Sequence, residues 1–335
     1  MLPRTFGVFY DFRNPAQWRE PWDVRYRKLI EQVAWVESQP AFGAVSVSEH
    51  HFVDDGYTPS VMALCAGIAT RTSRLQIATN IIQLPLHHPL RIAEDALTLD
   101  ALSGGRFRLG VAVGYREQEF AAFGLSTRDR GARMDESLAI LRAAFAGEPV
   151  RHDSRHWQFP EVTVTPGPIR PGGPEIWVGG GSEIAMRRAA RSADGFMAAV
   201  VNGQMARAFH DTCAAVTPEK PRKPVMGTAW MIVAEDPEKE IAKLGDHMLY
   251  HVNQYIEYGF LKAPPYTDAR RLVEDGFYTF TDANGALEVL RDAGDSGVTE
   301  VHFFGVLPGE DIESATARLE YLASNVLRHL ASPRP

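Results

Sequence analysis

The residues with the greatest chemical potential fall in short runs. Glu49-His50-His51-Phe52 sets two adjacent imidazoles behind a carboxylate. Side chains alternate along an extended segment, so one histidine can face a cavity while its neighbour packs outward. Imidazole titrates near neutrality, and the inward ring could act as general base or acid. Taken alone, adjacent histidines are more often structural. A second pair, His87-His88, ends the run Asn80-Ile81-Ile82-Gln83-Leu84-Pro85-Leu86. That run is apolar enough to hold a flat aromatic ligand, with Asn80 and Gln83 able to orient it through amide hydrogen bonds. In Gly114-Tyr115-Arg116-Glu117-Gln118-Glu119, the glycine permits close backbone approach, Tyr115 could cover a ring, and Arg116 could bind phosphate or a carboxylate. The competing reading makes Arg116, Glu117 and Glu119 an exposed ion-pair cluster. Gly179-Gly180-Gly181-Ser182 opens onto a helix. Free N–H groups and small residues there make a phosphate site, although Ser182 reads equally well as a plain N-cap.

All four runs fall at comparable places in an alternating pattern. Short apolar strands are expected at Thr5–Phe9, Gly43–Ser48, Leu75–Thr79, Arg106–Val113, Glu175–Val178, Gly195–Val200, Val225–Val233 and Val298–Phe304. Segments with helical apolar spacing separate them, as in Leu29, Ile30, Val33, Ala34 and Val36. Eight such units imply parallel pairing through right-handed crossovers. With no phosphate-binding glycine fingerprint after the first strand, a (β/α)8 TIM barrel of the α/β class is favoured over a doubly wound sheet. The four runs then lie on loops at the C-terminal mouth, where barrel chemistry is done. The rhythm breaks twice. An excursion after helix 4 covers about residues 149–174, and a long lid insertion after strand 7 covers about 234–282. Residues 1–335 are expected to form one domain. Phe12, Trp18, Trp22, Val201, Asn202 and the insertion are the expected shapers of a substrate pocket.

The chain has 335 residues, 45% of them hydrophobic and 23% charged, with a net charge of −7. This supports a large core and argues against nucleic acid or an anionic membrane as partner. The first residues do not read as a signal peptide, and no apolar run reaches about 18 residues. A soluble, cytoplasmic protein is therefore expected. Cys65 and Cys213 have neither CxxC nor zinc-ligand spacing and read as buried free thiols.

The order and spacing of these runs resemble the luciferase-like flavin-dependent monooxygenases. The likeness is densest from Val47 to Phe145 and from Ile176 to Gly195. It rests on Glu49-His50-His51-Phe52, on Leu84-Pro85-Leu86-His87-His88-Pro89-Leu90-Arg91, on Leu102-Ser103-Gly104-Gly105-Arg106-Phe107, and on Gly114-Tyr115-Arg116. The resemblance implies the same barrel and reduced FMN supplied by a separate, transiently bound flavin reductase. It implies reaction of that flavin with O2 through a C4a-(hydro)peroxyflavin, oxygenation of a small-molecule substrate, and a homodimer. It assigns His50 as the catalytic acid/base, Asn80-Ile81 as a non-prolyl cis peptide under the ring, and Gly180, Gly181 and Ser182 as the phosphate turn. Glu49, Gly114, Tyr115 and Arg116 complete the expected flavin site. One departure concerns the phosphate: the family's arginine before the strand-four glycine is replaced here by Val113, so that either Arg116 substitutes for it or the strand-five turn holds most of the phosphate.

Other readings compete. An F420-dependent hydride-transfer enzyme would use the same barrel without O2. A metal-dependent hydrolase is prompted by the two histidine pairs, but the first strand lacks His-x-His and ends Phe9-Tyr10-Asp11, so no metal is expected. A non-catalytic flavin-binding protein is the third.

Overall fold

The computed structural model describes residues 2–330. Eight strands, β1 (Thr5–Tyr10), β2 (Ala44–Val47), β3 (Gln76–Thr79), β4 (Phe107–Ala112), β5 (Glu175–Gly179), β6 (Gly195–Ala198), β7 (Val225–Ala229) and β8 (Glu300–Phe304), pair in chain order, and every pairing is parallel. β8 returns to β1 with Phe6 opposite Val301 and Phe9 opposite Phe304. The sheet is thus a closed (β/α)8 barrel, as the alternation predicts. Closure covers both strand faces, which is why β2, with the sequence Ala-Val-Ser-Val, is buried at every position.

The surrounding helices bury one stripe each. In the helix Trp22–Ser38 the stripe is Leu29, Val33 and Val36; in Arg130–Phe145 it is Met134, Leu138, Leu141 and Phe145. Several helices open on side-chain caps, among them those where Ser182, Asn202, Asp282 and Asp311 accept from the N–H of Ala185, Met205, Gly285 and Ser314. The barrel interior is filled. Ala78, Trp177, Met197 and Met226 form one apolar cluster. Beside it Arg108 pairs with Glu300, Glu300 with His302, and His302 with Ser46. Burial works against ionisation of Glu300, yet Arg108 and His302 hold its carboxyl down to about 2.

Strand seven differs from its expected length. The run Val225–Val233 breaks at Trp230: Val225–Ala229 stays in the barrel, while Met231–Val233 pairs with Thr279–Thr281 outside it. The insertion between them is mostly the helix Pro237–Glu257, capped by Asp236 and started by a proline. Its face of Leu244, Met248 and Val252 packs with Phe9, Phe304 and Leu307 at the barrel mouth. Residues 150–162 form an antiparallel hairpin, and Trp157 in its turn lies under the Arg133 guanidinium, 4.2 Å from the ring centroid. Cys65 and Cys213 are buried and free.

Candidate active site

A cavity of about 340 Å³ opens where the strands end. His50, Glu49, Asn80, Ile81, Gly114, Tyr115, Gly180, Gly181 and Ser182 all line it. The loops carrying them come from β2, β3, β4 and β5, so the closed barrel brings residues more than a hundred positions apart onto one mouth. The Asn80–Ile81 peptide is cis. The Asn80 amide donates to Thr228 Oγ1 at 3.1 Å, tying the β3 loop to β7.

His50 is the focus of one polar chain. Its Nδ1 lies 2.8 Å from Glu119 Oε1, and its Nε2 lies 3.1 Å from the Tyr115 hydroxyl. Glu119 Oε1 also accepts from the His51 N–H at 2.9 Å and from Arg116 Nη1 at 2.8 Å. A carboxylate so placed selects the tautomer with the proton on Nδ1 and leaves Nε2 as the basic atom. Burial lowers the His50 pKa, Glu119 opposes that fall, and Arg116 and Arg13 add to it. The net displacement is downward, so the ring is neutral at pH 7. Burial also works against ionisation of Glu119, but its bonds to His50 and the His51 N–H hold the carboxyl down to about 2.

Arg116 does not line the cavity. Its guanidinium donates to the His51 carbonyl and to Glu119 and lies 4.3 Å from the Tyr258 ring centroid. It supports the loop that carries the histidines rather than facing a ligand. Nor are Arg116 and Glu119 an exposed ion-pair cluster: they are 7% and 0% exposed. The short helix Glu117–Ala122 buries both Glu119 and Phe120. Phe12, Trp18, Trp22, Val201 and Asn202 also stand off the cavity. Phe12 packs on Tyr10 and Tyr26, and Trp18 on His247.

At the cavity's β5 side, Gly180 adopts φ +137, and a Cβ there would lie 2.8 Å from Ala185 Cβ. Only glycine lets the turn feed the helix Glu183–Ser192 with Ser182 as its cap. The first N–H groups of that helix lack intrahelical acceptors and face an anion favourably. Arg130, the first residue of Arg130–Phe145, lines the same cavity, and its guanidinium makes no hydrogen bond or ion pair among the described residues. It was not singled out from sequence, where it sits in the basic run Arg128-Asp129-Arg130. The Gln83 side-chain amide, in the cavity wall, has no hydrogen-bond partner at either Oε1 or Nε2. An unpaired guanidinium in one cavity with a helix N-terminus, and an orphaned buried amide, fit a phosphorylated ligand with polar atoms on a flat ring.

Aromatic side chains close the remaining wall: Tyr57, Trp230, Tyr255, Phe260 and Phe304. The Ser48 hydroxyl donates to Tyr57 Oη, and the Tyr57 and Tyr255 hydroxyls meet at 2.7 Å. Sequence reasoning located the insertion that brings Tyr255 and Phe260 but not the residues themselves. Helical spacing reports that a face is buried, not what it is buried against.

A sequence model of the luciferase-like monooxygenase family matches residues 4–293. The chain belongs to this family. Among relatives, the oxygenase component of the flavin-dependent trigonelline monooxygenase of Acinetobacter baylyi is 27% identical over 155 residues, 46% of this chain and 42% of that protein. Matches to curated relatives of this luciferase-like protein thus span less than half of their length. Solved structures superpose throughout. The oxygenating constituent of the 3,6-diketocamphane monooxygenase of Pseudomonas putida, in complex with FMN, gives a TM-score of 0.78 at 17% identity over 98% of this chain and 99% of that one. An F420-dependent secondary alcohol dehydrogenase gives 0.76 at 14% identity over 99% and 100%. At these identities the likeness is one of fold. No helix among the described residues is long and apolar enough to cross a membrane.

Proposed function

We propose that this luciferase-like protein is the oxygenase component of a two-component system that uses reduced FMN and O2 to oxygenate a small organic molecule. The observation that carries this reading is the convergence, in one cavity, of Arg130, the Gly180–Ser182 turn and a His50 imidazole backed by the buried Glu119 carboxylate. Bound reduced FMN supplies the electrons that activate O2. The chain supplies the rest. Arg130 and the Ser182 helix end hold the phosphate, and Gln83 Oε1 accepts from the ring edge. The Asn80–Ile81 wall and Gly114 give the ring a flat, close surface. Tyr57, Trp230, Tyr255 and Phe260 keep water from the reacting atoms, which protects a reactive oxygen species from hydrolysis. His50 accepts and returns a proton at Nε2, with Tyr115 holding that nitrogen in line. Arg130 is the one arginine or lysine lining the cavity among the described residues. With it engaged by phosphate, the aromatic wall admits a neutral, largely apolar substrate. A separate reductase delivers the flavin, and the oxygenase acts as a homodimer.

The second reading, hydride transfer with F420, is kept by the fold shared with the F420-dependent dehydrogenase. Anaerobic titrations with FMN, reduced FMN and F420, followed by rapid mixing with O2 in the presence of a reductase, separate the two. Micromolar or tighter binding of reduced FMN, with O2 consumption that His50→Ala slows without weakening flavin binding, is the expected result. Selective F420 binding with no O2 consumption overturns it.

A further inference from the structure

At the edge of the cavity, which Glu49 lines, three side-chain donor atoms converge on one point. Glu49 Oε1 lies 2.9 Å from His87 Nε2 and 3.4 Å from His51 Nε2, and the three atoms lie within 4.8 Å of one another. Glu49 comes from the loop after β2 with His51, and His87 from the loop after β3. We propose that Glu49, His51 and His87 form a divalent-cation site of Zn2+ type that clamps these two loops together.

Two imidazoles and one carboxylate are a donor set that zinc takes with a water in the fourth position. For bonds of about 2.0–2.1 Å, neighbouring ligands on a tetrahedron stand about 3.4 Å apart. The Glu49–His51 edge already has that length, and the Glu49–His87 edge is half an ångström short of it. The second observation is His51 Nε2. The residue is 7% exposed, yet this nitrogen has no hydrogen-bond partner, and it points at the carboxylate from outside hydrogen-bonding geometry. A buried ring nitrogen aimed at an anion and left unsatisfied is costly unless something binds it.

The outer shell is also in place. Glu49 Oε2 accepts the Gln83 N–H at 2.7 Å, which fixes the carboxylate and leaves Oε1 for the ion. The backbone of His51 is pinned on both sides, its N–H by Glu119 and its carbonyl by Arg116. Phe123 meets the His51 ring edge-on at 5.0 Å and Phe52 covers it, so the site is dry on that side. The His87 side chain is 26% exposed, which gives an ion and its water a way in from solvent. Such an ion sits one residue from His50. Its role is to fix the β2 loop, and redox-inert zinc does this without competing for electrons.

The full chain, stripped with a chelator and dialysed, is titrated with Zn2+ by calorimetry, and Co2+ absorption is recorded in parallel. One ion per chain with Kd below about 1 µM is expected, with cobalt bands of tetrahedral type. His51→Ala and His87→Gln each weaken binding at least tenfold, while His88→Ala does not. His87→Gln replaces a residue about a quarter exposed by one of similar size and keeps the fold, which its circular dichroism checks. Zinc raises the Tm of the parent chain but not of this variant. Absence of stoichiometric binding overturns the proposal, as does binding that survives both substitutions. Reduced FMN titrated with and without zinc tells this failure apart from a failure of the flavin reading.

Discussion

Glu119→Gln removes the negative charge behind His50 while leaving an oxygen for the His51 N–H. The Glu119 carboxyl stands at about 2 against an ordinary 4.5. At about 1.4 kcal/mol per pH unit, the displacement corresponds to about 3 kcal/mol of preference for the carboxylate in the folded chain. The amide keeps part of the hydrogen bonding, so the expected stability loss at pH 7 is about 1.5–3 kcal/mol, the range for a hydrogen bond to a charged group. The sign of the effect on His50 follows from the same contacts. Burial lowers its pKa and Glu119 raises it, so removing Glu119 and leaving Arg116 unbalanced drives it lower still. Titration of the His50 ring by 15N NMR therefore moves to lower pH in the variant, and urea unfolding reports the stability loss. A double-mutant cycle with His50→Ala isolates the pair, with a coupling of about 1–3 kcal/mol expected. An unchanged or higher His50 midpoint would refute the claim that Glu119 sets the state of this ring.

Arg130→Gln is expected to weaken FMN binding about tenfold or more while leaving riboflavin binding within twofold, measured by flavin fluorescence. Equal effects on both ligands would remove Arg130 from the phosphate site. Gly114 adopts φ +72, and a Cβ there would lie 2.6 Å from Gln83 Oε1. Gly114→Ala should cost about 1–3 kcal/mol in urea unfolding and weaken flavin binding through the displaced amide. Glu49, Glu119 and Glu300 are each held at about 2. A depressed carboxylate stabilises above its unfolded pKa of about 4.5 and loses that contribution as pH falls toward 2. Urea midpoints should therefore hold between pH 6 and 5 and fall steeply below 4.5; a midpoint that holds down to pH 3 would contradict the ionised assignments.

The alternation of apolar strands and helices made the barrel legible, because parallel strands buried on both faces leave continuous apolar runs. The mouth loops were legible for a related reason: their glycines, amides and histidines interrupt those runs at equivalent places. What the sequence concealed was direction. Arg116 and Arg130 are fourteen residues apart, each in its own short polar run. Burial of Glu119 decides that the first turns away from the cavity, and the start of a helix decides that the second turns toward it. Trp230 shows the same limit. The run Val225–Val233 is uniformly strand-like, but the partner for its last residues, Thr279–Thr281, lies beyond the insertion. The expected pocket formers Trp18 and Trp22 failed similarly, since an aromatic near a barrel mouth packs on whatever helix reaches it first.

The hydroxyl pair of Tyr57 and Tyr255 joins chain segments 198 residues apart. One side belongs to the rigid mouth and the other to a helix that the barrel does not need for closure. A neutral hydrogen bond of this kind contributes about 1 kcal/mol net, small against the packing beneath it. The join is therefore a latch and not a weld. On the flavin reading proposed above, local opening of the 237–257 helix would uncover the wall of the cavity that Tyr255 forms, and would gate cofactor exchange. Substitutions on the face of this helix turned away from Tyr255 would then change the rate of opening and leave the His50 proton chain untouched.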